Sequence, residues 1–149
     1  IEEAVDTFTR LNKDGKNPIY YAGGTEIICR ARLKSMFFGA VIDIKEIPEC
    51  NILEIKDGEL LIGSAITLTK ISETGVFPLL DNVCKSAADH TARDKITLGG
   101  NICGNIPYKE AILPFLVADS TVIIAGTDGT RRVPLNKIFD GNLLLKTGE

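Results

Sequence analysis

Two segments of the chain carry residues whose types and spacing suit the binding of an anion. Tyr20-Tyr21-Ala22-Gly23-Gly24-Thr25-Glu26 and Thr97-Leu98-Gly99-Gly100-Asn101-Ile102 each place a glycine pair where an apolar run breaks off. Consecutive glycines remove the Cβ atoms that hold a ligand away from the backbone, and they open positive-φ conformations in which successive N–H groups point into one concavity. Two such cradles in one small chain imply a ligand with two adjacent negative groups, and a dinucleotide pyrophosphate fits that description. Neither G-x-G-x-x-G nor G-x-x-x-x-G-K-[ST] occurs, which disfavours a Rossmann NAD site and a P-loop ATP site.

The side chains around the second pair add to this reading. Thr97, Asn101 and Asn105 bring hydrogen-bonding groups around Gly99, Gly100 and Gly104. A glycine-rich loop without regular pairing has to satisfy its amides with water, side chains or a ligand. Asn101 either meets the ligand or braces the loop by bonding its own backbone. Glu26 is repelled by a phosphate and is expected to point away from it. In the first turn of a helix an acid gains roughly 0.3–1 kcal/mol from the helix dipole, which suffices to explain it. Glu110 follows Pro107-Tyr108-Lys109 and can accept from a sugar-like hydroxyl or cap a helix in solvent, and Arg93 and Lys95 can offset phosphate charge or lie on the surface. No G-x-S-x-G appears and His90 is the one histidine, so no nucleophile, acid, base or metal set is nominated.

The elements that must position these residues follow from periodicity. Ile1, Ala4, Val5, Phe8 and Leu11 recur at helical spacing, and Lys13-Asp14-Gly15 ends that helix. Residues 19–22 form a strand, Gly23-Gly24 breaks it, Thr25 serves as N-cap, residues 26–36 form a helix, and residues 41–44 form the next strand. That order is a βαβ unit with parallel pairing. After Pro48 the style changes: Asp57-Gly58 sits between two apolar runs as a two-residue hairpin turn. Residues 67–72 form a short helix, 78–92 a longer one, and 112–118 a third, before a second hairpin whose turn is Gly126-Thr127-Asp128-Gly129. The expected class is α+β, with a βαβ-type subdomain over residues 1–50 and an antiparallel-sheet subdomain with packed helices over residues 51–149. One glycine pair lies in each half, so a ligand held by both sits at the seam.

Composition excludes other classes. With 149 residues and 44% hydrophobic content the chain can bury a core. A formal charge of -3 without a basic stripe argues against nucleic acid, and the apolar runs are too short to span a membrane. Cys29, Cys50, Cys84 and Cys103 form no C-x-x-C pair. They read as reduced thiols packed as small hydrophobes, which points to a cytoplasmic protein. Both ends, Ile1 and Lys146-Thr147-Gly148-Glu149, read as cut, so a removed N-terminal address is left open.

Three motifs in order, Tyr21-Ala22-Gly23-Gly24-Thr25-Glu26-Ile27, residues 61–69 (Leu-Ile-Gly-Ser-Ala-Ile-Thr-Leu-Thr) and Thr97-Leu98-Gly99-Gly100-Asn101-Ile102, resemble the FAD-binding medium subunit of the molybdenum hydroxylases. Val41-Ile42-Asp43-Ile44, Arg93, residues 107–119 and Phe139-Asp140-Gly141 extend the likeness over nearly the whole chain. The resemblance implies a PCMH-type FAD-binding fold whose further flavoprotein domain lies beyond this chain. It implies that Tyr21, Ala22, Gly23, Gly24, Thr25, Glu26 and Ile27 wrap the FAD pyrophosphate from one side and Thr97, Gly99, Gly100 and Asn101 from the other. Gly104 and Glu110 are then expected near the ribityl chain, and Ala87 and Ile96 near the cofactor's apolar parts. The sequence departs from the family pattern at Glu110, where aspartate is common, and at Ile106, where a small polar residue is. The implied partners are a molybdopterin-binding large subunit and a 2Fe-2S small subunit, with NAD or another acceptor receiving the electrons. Two other readings remain: a stand-alone flavin reductase of the same superfamily, and a cofactor-free assembly module.

Overall fold

The computed structural model describes residues 1–149 as an α+β chain. Helix α1 (Glu2–Lys13) buries Val5, carries Glu2 and Glu3 in its first turn and Arg10 and Lys13 in its last, and so complements its own dipole. Gly15, at φ +70°, ends it. Strand β1 (Pro18–Tyr21) then leads through a glycine turn into α2 (Thr25–Arg32) and on to β2 (Ala40–Asp43). The two strands pair in parallel, Pro18 opposite Ala40 and Tyr21 opposite Asp43, which is the βαβ unit the sequence predicts.

Helix α2 stops four residues short of the predicted Met36. Lys34 adopts φ +54°, its N–H bonds the Ala31 carbonyl, and the Ser35 N–H bonds the Arg30 carbonyl, so a Schellman-type cap closes the helix with a lysine in the left-handed position. The apolar residues 36–38 that prolonged the helical pattern belong to the connection into β2.

A 3-10 turn at Pro48–Asn51 opens the second half. It packs tightly: the Ala65 N–H bonds the Cys50 carbonyl at 2.8 Å, and a Cβ on Gly63 would lie 2.2 Å from that same oxygen. Strands β3 (Leu53–Lys56) and β4 (Glu59–Ile62) form an antiparallel hairpin, with Asp57 and Gly58 both at positive φ as a two-residue turn requires. Helix α3 (Leu68–Ser72) starts at Thr67, whose hydroxyl accepts from the Lys70 N–H. Helix α4 (Pro78–Ser86) packs against it.

The predicted helix over 78–92 is two helices. Ala87 is extended and Ala88 takes φ +49°, after which Asp89 caps a single turn, α5 (His90–Arg93), by accepting from the Ala92 N–H at 2.8 Å. The Arg93 guanidinium holds this corner by donating to the Ala87 and Ala88 carbonyls at 3.1 and 2.7 Å. A local cap and one cation thus overrule a continuous apolar pattern.

Helices α6 (Leu98–Cys103) and α7 (Ile112–Val117) complete the core, and a second hairpin, β5 (Thr121–Gly126) with β6 (Gly129–Pro134), follows. The expected antiparallel sheet is therefore two separate hairpins. Ile66, Leu68, Ile71, Leu80, Cys84, Ala87, Leu98 and Ala111 form one buried cluster beneath the second glycine segment, each large apolar side chain contributing about 1.5–3 kcal/mol by leaving water. Phe8 of α1 stacks on Tyr20 at 5.0 Å between centroids, and the Tyr20 hydroxyl donates to the Gly148 carbonyl, which ties the chain's end to β1. No helix is long and apolar enough to cross a membrane.

Candidate functional site

At the first glycine pair the chain leaves β1 and enters α2 within three residues. Gly24 occupies the N-cap position at φ +71°, so Thr25 is the first helical residue and not the cap expected of it, and no side chain caps this helix. None of the N–H groups from Ala22 to Ile27 donates to any acceptor within the chain. Six consecutive backbone donors are therefore left without a partner in the chain at the positive end of α2, an arrangement suited to an anion. The Tyr21 ring folds back over the turn: a Cβ on Gly24 would lie 2.3 Å from its hydroxyl oxygen. Lys45 stands 4.7 Å from the centre of that ring and pairs with Asp43 at 2.5 Å. The Lys45 side-chain and backbone hydrogen bonds hold the Asp43 carboxyl below the usual carboxylate range. Lys45 was not singled out from the sequence.

The second glycine pair is built differently. Residues 96–98 run antiparallel to residues 66–68, the Leu68 N–H bonding the Ile96 carbonyl and the Leu98 N–H bonding the Ile66 carbonyl. The Gly99 N–H bonds the Ser64 carbonyl at 2.8 Å, the Gly100 N–H bonds the Thr97 hydroxyl at 3.2 Å, and the Asn101 N–H bonds the Thr97 carbonyl. The segment is thus the capped start of a short helix and not an open loop. The Gly99 and Gly100 amides, expected to face a ligand, have acceptors within the chain itself. Their missing side chains serve contact instead, since a Cβ on Gly99 would meet the Ser64 Cβ at 2.8 Å and one on Gly100 the Thr97 hydroxyl oxygen at 2.9 Å. Ser64, within the middle motif, is the support that sequence reasoning left without a role; Gly63-Ser64 beside an apolar strand was the signal.

The two segments nevertheless meet. A Cβ on Gly23 would lie 1.7 Å from the Lys95 carbonyl oxygen and 3.5 Å from the Thr97 methyl group, so glycine is required where β1 runs out against residues 95–97. Glu26 makes a second junction: both its carboxylate oxygens accept from the Asn105 N–H, at 3.2 and 3.0 Å, and Arg30 pairs with it at 2.8 Å. A Cβ on Gly104 would lie 2.7 Å from Glu26 Oε2. As expected, the Glu26 side chain is not left in the cradle, although its destination is a neighbouring loop rather than solvent.

Asn101 is buried and braces that loop. Its amide nitrogen donates to the Tyr108 carbonyl and to Glu110 Oε2, and its Oδ1 accepts from the Ala111 N–H at 3.1 Å. Both ends of its side-chain amide are thus engaged by residues 108–111. The Glu110 carboxylate takes part in this brace and also lines a surface cavity of about 640 Å³, whose wall is formed by residues 105–110 together with Ile112, Leu113, Phe139, Gly141 and Asn142. Lys109 reaches Asn142 across it. Ala87 is 4% exposed within the core cluster, and the half-buried Ile96 packs against that cluster. Arg93 is committed to the α4–α5 corner, and Lys95 meets the first turn through its carbonyl.

The four cysteines are free, and Cys50 and Cys84 are buried. Burial, and then the nearby Asp81 carboxylate, push the Cys84 thiol up to about 11, the behaviour of a packed residue and not of a nucleophile.

Fold and turn together are those of an α+β module that leaves a row of backbone amides unpartnered at a strand–turn–helix junction. The family model for the FAD-binding domain in molybdopterin dehydrogenase matches residues 1–149, and the chain belongs to that family. It is 30% identical over 125 residues to the xanthine dehydrogenase FAD-binding subunit of Escherichia coli O157:H7, which covers 80% of this chain and 43% of that one. It is 25% identical over 148 residues to the carbon monoxide dehydrogenase medium chain of Hydrogenophaga pseudoflava, covering 97% of this chain and 50% of the relative. Among solved structures, a carbon monoxide dehydrogenase from Hydrogenophaga pseudoflava that lacks the Mo-pyranopterin moiety superposes with a TM-score of 0.91 at 24% identity, over 99% of this chain and 53% of that chain. Quinoline 2-oxidoreductase from Pseudomonas putida 86 does so with a TM-score of 0.87 at 19% identity, over 99% and 53%. These superpositions establish the PCMH-type α+β fold. The chain spans about half the length of the relatives it matches. FAD is the cofactor of this family.

Proposed function

We propose that this chain forms the diphosphate-holding part of an FAD-dependent oxidoreductase subunit of the molybdenum hydroxylase kind. The observation that carries the reading is the row of six unpartnered amides from Ala22 to Ile27, set at the start of a helix of eight residues. A dinucleotide diphosphate satisfies such donors with oxygens that need no side-chain base, and the site offers none. Thr97, Gly104 and Asn105 border the cradle through the contacts of Gly23 and Glu26, which supports a cofactor lying along the junction of residues 1–50 with residues 51–149. The Thr97 hydroxyl accepts from Gly100 and keeps its proton for a ligand. Glu110 lines the cavity wall, which supports a role for it in meeting the ribityl hydroxyls.

When bound, the flavin supplies the electron transfer between the iron–sulfur clusters of a 2Fe-2S small subunit and an acceptor such as NAD, the substrate being oxidised at a molybdopterin-binding large subunit. This chain's own residues bind and orient: amides at Ala22–Ile27 fix the diphosphate, and the helix dipole of α2 lowers the cost of its charge. The cytoplasm is the compartment this reading assigns, in line with four free thiols.

Titration of the chain with FAD, read by quenching of flavin fluorescence, tests the reading. Saturable binding that inorganic pyrophosphate competes away is expected. Absence of flavin uptake by both this chain and a longer one that includes the following domain would overturn it.

A further inference from the structure

The Glu26 carboxylate has a use that neither a cap nor a cofactor ligand explains. It lies on the first turn of α2, one residue after Thr25, with its own N–H among the open donors. Its side chain is 17% exposed, and its oxygens are consumed by the Asn105 N–H and by Arg30. The residue before Asn105 fits only without a side chain, because a Cβ there would meet Glu26 Oε2 at 2.7 Å and the Gly100 carbonyl at 2.8 Å. The far end of the same loop is fixed by Asn101 through Tyr108, Glu110 and Ala111. Residues 104–110 are therefore stapled at both ends, one staple rooted in the helix whose start forms the cradle, and between the staples they wall the cavity.

We propose that Glu26 is a positioning residue that latches loop 104–110 to the cradle, so that the diphosphate site and the cavity wall are set as one unit. The proposal rests on the flavin reading above. A carboxylate would be a poor phosphate ligand, so this one is held off the anion by Arg30 and Asn105 and its charge does structural work. A ligand that reaches only the cradle is indifferent to the latch, while a ligand that extends along the loop depends on it.

The experiment compares FAD and inorganic pyrophosphate binding, by fluorescence and calorimetry, in the wild-type chain and in E26A, E26Q, E26D and G104A, with hydrogen exchange at the Asn105 amide followed in each. For E26A the account expects faster exchange at Asn105 and FAD binding weaker by about tenfold, the size of one hydrogen bond to a charged group. Pyrophosphate binding is expected to equal or exceed wild type, since a nearby negative charge has gone. E26Q, which keeps an acceptor for Asn105, stays closer to wild type for FAD than E26A. G104A breaks the same contact from the other side with Glu26 intact, and it reproduces the split between the two ligands even if E26A folds poorly. Equal losses of FAD and pyrophosphate in E26A, E26Q and G104A overturn the proposal, as does unchanged exchange at Asn105 in E26A. A wild-type chain that takes up neither ligand overturns the flavin reading and the positioning role with it, whereas a failure confined to the variants' split overturns the latch alone.

Discussion

At Gly23-Gly24 the backbone leaves a strand with its amides unpaired, whereas at Gly99-Gly100 it has already entered α6 with each amide taken by Ser64 or Thr97. Both pairs permit a close approach. Gly23 lets the Lys95 carbonyl in, and Gly99 lets Ser64 in. The difference lies in what surrounds them: residues 64–68 run alongside the second segment and supply acceptors, and nothing in the chain does so for the first. A glycine pair therefore announces close backbone approach, and the neighbouring strand decides whether the donors remain free for a ligand.

The largest effect that sharpens this comparison is expected from G23A. Its Cβ would strike a backbone carbonyl that has no room to yield, so a loss of roughly 3 kcal/mol or more is expected, with a fall in Tm of about 6–12 °C. Thermal unfolding checks it, and flavin uptake should vanish together with the fold. N101A strips the buried Ala111 N–H of its acceptor and frees the Tyr108 end of the loop; urea unfolding should register about 1–3 kcal/mol. G24A costs about 1–2 kcal/mol for forcing a side chain into left-handed backbone. Because the Tyr21 ring can swing aside, FAD affinity should fall further than stability does. G100A should matter least of the four: an added methyl in a helix can return up to about 1 kcal/mol against a strained contact with Thr97, and FAD affinity should hold within about threefold. If G100A abolished flavin binding while G24A spared it, the roles assigned to the two pairs would be reversed.

Burial predicts one more contrast, among the thiols. Cys84, pushed up to about 11, should resist alkylation at mild alkaline pH, while exposed Cys29 reacts. Its folded value lies above the ordinary 9.0. The stability held by the neutral thiol is thus complete below about 9 and declines as pH climbs towards about 11.

Much of this architecture was legible in the sequence because the signals were local. The Asp57-Gly58 turn, the parallel unit around Gly23-Gly24 and the short helix after Thr67 each follow from residues within a few positions of one another. What escaped depends on contacts across the chain. The break at Ala87-Ala88 is set by Arg93 reaching back to two carbonyls. The occupancy of the Gly99 amide is set by a carbonyl 35 positions earlier, at Ser64. Glu26 could be expected to avoid a phosphate, yet its partner Asn105 is 79 positions away, and no spacing rule connects them. The partners of Asn101, Tyr108 and Ala111, lie 7 and 10 positions further on, beyond the glycine segment itself.

The central claim, that the first glycine turn grips the diphosphate and the second supports it, is tested most directly by residue-resolved amide hydrogen exchange with and without FAD. Exchange at residues 22–27 should be fast in the free chain and slow on adding flavin, while residues 98–101 should be protected in both states. Protection that appears on binding at residues 98–101, with residues 22–27 unchanged, would contradict the account.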